Sequence, residues 1–104
     1  MNRPYYSEYI KHCMRFYSRS VINSRQEKPF FKTDVDKKNW QSCYIALKDY
    51  SDRDKCILIE IYASFDTLPD EVYQTSKKYS IGQNIIWDMM KDFEHKVAKK
   101  RGLI

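Results

Sequence analysis

The stretch from Leu68 to Phe93 constrains the fold more than any other part of the sequence. It reads as a helix, a three-residue turn and a second helix rich in large apolar side chains. Asp66 or Thr67 stands where a helix N-cap belongs, and Pro69 falls at or near the first turn, where its missing N–H does no harm. Val72, Ser76 and Tyr79 follow at helical spacing. Ser80-Ile81-Gly82 interrupts the run, and Gln83 to Lys91 resumes it. This is the layout of a helix-turn-helix.

The rest of the chain extends this to an all-α fold, a small bundle of about five helices with the helix-turn-helix in its C-terminal half. A first helix is expected from about Pro4 to Ser18, with Tyr5, Tyr6, Tyr9, Ile10, Cys13, Phe16 and Tyr17 on one broad apolar face. Lys11, Arg15 and Arg19 stand four apart on the other face. They read either as a solvated face or as a basic stripe for phosphates. Arg19 to Lys32 reads as a polar connection, with Val21-Ile22 and Phe30-Phe31 available to pin it to the core.

A second helix starts near Thr33 or Asp34, where Thr33 and Asp36 resemble a capping box with Asp in place of Glu. Trp40, Cys43, Tyr44, Leu47 and Tyr50 follow at spacings of three and four. Ser51-Asp52-Arg53-Asp54 opens a third helix, its acids favoured by the helix dipole. Cys56, Ile57, Leu58, Ile59, Ile61 and Tyr62 make it the most apolar stretch. The last helix runs from about Gln83 to Lys100. Its inner residues are Ile85 or Ile86, Met89, Met90, Phe93 and Val97, and Gly102 with Leu103 reads as a left-handed stop with an apolar clasp.

At 104 residues, with 42% apolar and 15% aromatic residues, the chain has enough for one modest core. Residues 1–32 form an N-terminal helix and connection, and residues 33–104 hold the helix-turn-helix part, expected as one compact unit. The net charge of +5 is uneven. Residues 1–38 carry nine Lys/Arg against four Asp/Glu, residues 39–95 six against ten, and residues 96–104 four against none. A polyanion is attracted to the two ends rather than to the middle.

Cys13, Cys43 and Cys56 are scattered and odd in number, which argues against a disulfide framework or a zinc site. Each is expected as a small buried group. No signal peptide and no long apolar run is present, so a cytoplasmic protein with no membrane partner is expected. No P-loop, GxGxxG, HExxH or GxSxG occurs, and His12 and His95 lie far apart. Neither an enzyme nor a cofactor or metal is expected.

Asp52-Arg53-Asp54-Lys55-Cys56-Ile57-Leu58, then Thr67-Leu68-Pro69-Asp70-Glu71, then Ser76, Ile81 and Ile86, resembles region 4 of bacterial sigma factors. The likeness spans roughly Tyr50 to Lys99. The basic ending Lys96 to Ile104 is more loosely similar to short sigma-like proteins of phages and mobile elements. Ser76 supplies the small residue that the helix crossing needs, Ile81 the apolar residue of the turn, and Ile86 and Met89 the anchors of the second helix. At two positions the chain differs from the pattern. Ser80 stands where glycine is common, and Thr75 where an aliphatic residue is usual.

The resemblance implies a DNA-binding transcription regulator acting on double-stranded DNA, with RNA polymerase or another regulator as a further partner and a homodimer left open. The reading face comprises Gln83, Asn84, Trp87, Asp88 and Lys91. Phosphate contacts fall to Lys77, Lys78, Lys96, Lys99, Lys100 and Arg101. Trp87 has three readings: packing within the chain, anchoring a protein partner, or facing DNA. The alternative function is a protein-interaction module that holds RNA polymerase or a regulator without reading bases.

Overall fold

A computed structural model describes residues 5–23, 32–64 and 67–104. They form five helices in the order α1 (Ser7–Asn23), α2 (Asp34–Leu47), α3 (Asp52–Ala63), α4 (Leu68–Tyr79) and α5 (Gln83–Lys100). There is no strand among the described residues, so the β-prone run Ile57 to Ile61 is helical. No helix among them is long and apolar enough to cross a membrane.

Local chemistry fixes the starts of α2 and α3. The Thr33 side chain accepts from the Asp36 backbone N–H at 3.1 Å, and Ser51 accepts from the Asp54 N–H at 3.2 Å. Each bond satisfies one N–H that the helix cannot satisfy internally. Thr67 precedes α4 without such a bond, and its hydroxyl instead donates to Asp70 Oδ2 at 2.8 Å. Asp66, the other proposed cap, lies outside the described residues. Gly102 has φ +75°, and the Leu103 N–H returns to the Ala98 carbonyl at 2.9 Å, so α5 ends in the left-handed stop expected.

The first helix differs from expectation. It starts at Ser7 and runs through Arg19 to Asn23, where a connection was expected. Its last turn is held by tertiary contact. Ser20 Oγ donates to the Tyr17 carbonyl at 2.7 Å and accepts from Trp40 Nε1 at 2.9 Å. Val21 and Ile22 do not pin the chain to the core but are 40% and 56% exposed. Phe30 and Phe31 lie outside the described residues.

α1 packs most extensively on α3 and α2, and also touches α5. One core draws on all five helices. Tyr6, Ile10, Cys13, Met14 and Tyr17 meet Cys43, Leu47, Ile57, Leu58, Ile61, Tyr62, Leu68, Val72, Ile86, Met90, Phe93 and Val97. Leu47, Leu58, Ile61 and Ile86 are buried as expected, whereas Trp40, Ile81 and Met89 are partly buried against the core. The apolar face of α1 is narrower than its composition suggests, because Tyr5, Tyr9 and Phe16 face solvent while Met14 is buried. Ile86, not Ile85, is the inner residue of its pair. Of the three thiols Cys56 is exposed, which corrects its assignment to the interior. Burial raises the pKa of Cys43, and raises that of Cys13 to about 11.

The most consequential buried group is Glu94, 2% exposed on α5. Ser7 Oγ of α1 donates to its Oε1, and Tyr62 Oη of α3 donates to its Oε2 at 2.5 Å. One carboxyl thereby joins three helices. Glu94→Ala removes the acceptor of two buried hydroxyl bonds and opens a cavity, so urea melts should show a loss of about 3 kcal/mol or more. Glu94→Gln keeps the volume and one acceptor and should lose about 1–2 kcal/mol. Equal small losses for both would show that the carboxyl does not hold the helices.

Candidate nucleic-acid interface

The turn between α4 and α5 is organised by Ser76. Its carbonyl accepts from the N–H groups of both Ser80 and Ile81, the latter at 3.1 Å. Its hydroxyl donates to the Ile81 carbonyl. Ser80 takes the left-handed conformation, with φ 55° and ψ 47°. The left-handed residue, just before the apolar Ile81, is thus a serine rather than a glycine. Gly82, at φ −60°, needs no glycine freedom. Thr75 is buried at 3% exposure, so it occupies an inner position despite its hydroxyl.

The turn delivers α5 with a distinctive amino end. Gly82 offers no capping side chain, and the first turn of α5 carries no acid, whereas α2, α3 and α4 each begin with acids. The first N–H groups of α5 are left without intrahelical carbonyls. Gln83 and Asn84 flank them with exposed side chains that make no hydrogen bond among the described residues. Ile85 beside them is 59% exposed. Asn84, Asp88 and Lys91 follow at spacings of four and three, all exposed, and so share one face. Trp87, on the flank of that face, is partly buried and packs against the core.

The proposed phosphate-contacting cations do not behave alike. Lys78 Nζ is held by Glu60 Oε1 at 2.8 Å, a hydrogen bond that raises its pKa. Lys96 Nζ lies 3.3 Å from Asp92 and 3.6 Å from Asp49, over the Tyr50 ring at 4.6 Å. The Tyr50 hydroxyl donates to Asp92 at 2.6 Å, which with Lys96 holds that carboxyl below its ordinary pKa. Arg101 is half-buried, its Nε donating to Asn39 Oδ1 at 2.5 Å. Lys77 is exposed, with its ammonium 4.4 Å from the Tyr73 ring centre. Lys99 and Lys100 are exposed and free of ion pairs among the described residues.

The site residues therefore form two groups rather than one. Gln83 and Asn84 begin α5, while Lys99, Lys100 and Arg101 end it, about 25 Å away at 1.5 Å per residue. Lys11, Arg15 and Arg19 are half-buried rather than fully solvated. Arg101 acts electrostatically on Cys13, which lies on the opposite side of α1 from Lys11 by roughly 200° of helical rotation. The α1 stripe and the α5 tail thus do not form one basic face.

Two residues that organise this region went unread in the sequence. Glu94 lies within the apolar face Met90, Phe93 and Val97, and an acid on such a face is the signal that it has buried partners. Asn39 joins Tyr9 of α1 to Arg101, and nothing in its local sequence marks that role. Compared with family models, curated proteins and solved structures, the chain matches none.

A left-handed serine costs about 1 kcal/mol relative to glycine, and the greater freedom of unfolded glycine offsets part of that. Ser80→Gly should therefore stabilise the protein by roughly 0.5 kcal/mol and raise Tm by about 2–4 °C. A fall in Tm by calorimetry would show that the serine side chain contributes more than its backbone strain removes.

Proposed function

We propose that the protein is a sequence-reading, double-stranded DNA-binding regulator of the sigma region 4-like type, with the amino end of α5 as its reading element. The observation that carries this reading is the uncapped, acid-free start of α5, where Gln83 and Asn84 project unpaired amides after a three-residue turn. Free N–H groups at a helix start suit a phosphate. Side-chain amides suit an adenine edge, giving about 1–3 kcal/mol of discrimination when bidentate. Ile85 offers an apolar surface of the kind that meets a thymine methyl. Asp88 lies one turn further along the same face, where it accepts from cytosine or else repels phosphate. Lys91, Lys99 and Lys100 supply the unpaired positive charge along and beyond that face.

A second reading is supported by the charge of residues 39–95, six Lys/Arg against ten Asp/Glu. In it the same face docks on RNA polymerase or a partner regulator, with the exposed edge of Trp87 and Ile85 as its apolar centre.

The two readings separate experimentally. Duplexes selected from a random pool, together with DNA flanking the gene, are titrated at one fixed salt concentration. Gln83→Ala with Asn84→Ala should erase preference for the selected duplex and leave non-specific affinity nearly intact. Retained preference would show that α5 reads with other residues. Absence of any duplex affinity at low salt would put the protein-interaction reading first.

A further inference from the structure

A second surface, on α2, is built from different chemistry. Lys37, Trp40, Tyr44 and Lys48 are spaced three, four and four residues apart, which sets them in a row along one side of the helix. The Trp40 and Tyr44 rings stack with centroids 5.5 Å apart and planes 9° from parallel. The Lys48 ammonium lies 4.8 Å from the Tyr44 ring centre. Tyr44 is 45% exposed and stands outside the core. Lys37 and Lys48 are exposed, and neither is ion-paired among the described residues.

Trp40 is fixed from behind. Its indole N–H donates to Ser20 of α1 at 2.9 Å, and its ring packs on Tyr17 at 5.1 Å between centroids. The tyrosine ring in front of it is therefore presented on a rigid backing rather than on a free side chain. Phe16, one helical turn before Ser20 and 38% exposed, extends the apolar surface on α1.

Packing alone accounts for Trp40 but not for Tyr44, which remains 45% exposed with its ring between Trp40 and the ammonium of Lys48. Lysine is depleted from the centres of protein–protein interfaces. Aromatic rings interleaved with unpaired cations instead match a surface that stacks bases and tracks phosphates. Bases within a duplex already stack on each other, so such a ring reaches only unpaired ones. We propose that the Trp40–Tyr44 stack, with Lys37 and Lys48, is a binding site for single-stranded nucleic acid. A base stacks on Tyr44 in the place of the Lys48 ammonium, which moves to a phosphate, and Lys37 contacts the strand at the other end of the row. This site lies on a different helix from the reading element of α5 and does not depend on that reading.

Fluorescence anisotropy of the full chain with short labelled oligo(dT), oligo(U) and a duplex of equal length tests the proposal. Tyr44→Ala should weaken both single strands by about 5- to 100-fold, from the usual contribution of one stacked base, and leave the duplex unchanged. Tyr44→Phe keeps the ring and should bind within about twofold of the unsubstituted protein. Lys37→Gln with Lys48→Gln should lower the slope of log affinity against log salt by about 1.4, roughly 0.7 per lost phosphate contact. Circular dichroism melts matched to the unsubstituted protein establish that each variant folds. The proposal is overturned if the unsubstituted protein fails to bind either single strand at low salt. It is overturned equally if Tyr44→Ala binds them unchanged, or if Tyr44→Phe loses as much as Tyr44→Ala.

Discussion

A carboxyl group buried where three helices meet sets the geometry of this domain. Glu94 of α5 takes hydrogen bonds from Ser7 at the start of α1 and from Tyr62 near the end of α3. Such a group is costly inside a protein unless its oxygens are satisfied, by several kcal/mol. Apolar packing tolerates small sliding and rotation, but this arrangement tolerates less, because either motion stretches a buried hydrogen bond to the carboxyl. The constraint reaches the surface. Glu94 flanks the inner stripe of Ile86, Met90, Phe93 and Val97, and helical periodicity places Asn84, Asp88 and Lys91 away from that stripe. Weaker bonds repeat the tie between the first and last helices, Tyr5 to the Leu103 carbonyl and Tyr9 through Asn39 to Arg101.

What can be read from the sequence depends on how local each cause is. The starts of α2 and α3 were legible because a side chain three residues before an N–H completes the bond within a single turn. The left-handed stop of α5 was legible because Gly102 and the Leu103 N–H that returns to Ala98 act within a single turn. The end of α1 was not, because Ser20 and Trp40 that stabilise its last turn are twenty residues apart. Exposure was hardest to read where aromatic residues crowd one helix. Tyr5, Tyr9 and Phe16 share the composition of a core face, yet the helices packed on α1 bury Tyr6, Ile10, Cys13, Met14 and Tyr17 and leave those three exposed. Among the candidate site residues, identity and local exposure at Gln83, Asn84, Asp88 and Lys91 followed from periodicity. The pairing of Lys78 with Glu60 and of Lys96 with Asp49 did not, since it depends on how the helices pack against each other.

That pairing changes the meaning of the net charge. A formal +5 suggests a protein attracted to polyanions as a whole. In the folded chain, acids of the middle segment bind Lys78 of that same segment and Lys96 of the basic ending, so both are engaged before any ligand arrives. Both remain partly exposed, and such pairs are individually weak, so they tune the field more than they stabilise the fold. The unpaired positive charge is divided among several surfaces, with Lys37 and Lys48 on α2, Lys77 at the end of α4, Lys91 within α5 and Lys99 and Lys100 at its end. On the proposed reading, the amides of Gln83 and Asn84 that would discriminate bases stand apart from Lys99 and Lys100, which would attract a polyanion at the other end of α5. Attraction falls steeply with salt, whereas amide discrimination between bases does not carry the same counterion term.

Ser76 connects this division to the fold. Its carbonyl and hydroxyl together close the turn that carries Ser80 into left-handed space, and that turn fixes where the uncapped end of α5 emerges. The strain at Ser80 is thus located one turn from the residues whose exposure matters most. The placement of Gln83 and Asn84 then rests on two constraints of different kinds. Glu94 sets the rotation of α5 about its axis from within the core, and Ser76 sets the direction of chain entry from the surface. A change that disturbs only the turn shifts the helix start while the carboxyl still holds the helix body. A change at Glu94 releases the body and carries the exposed face of Asn84, Asp88 and Lys91 with it.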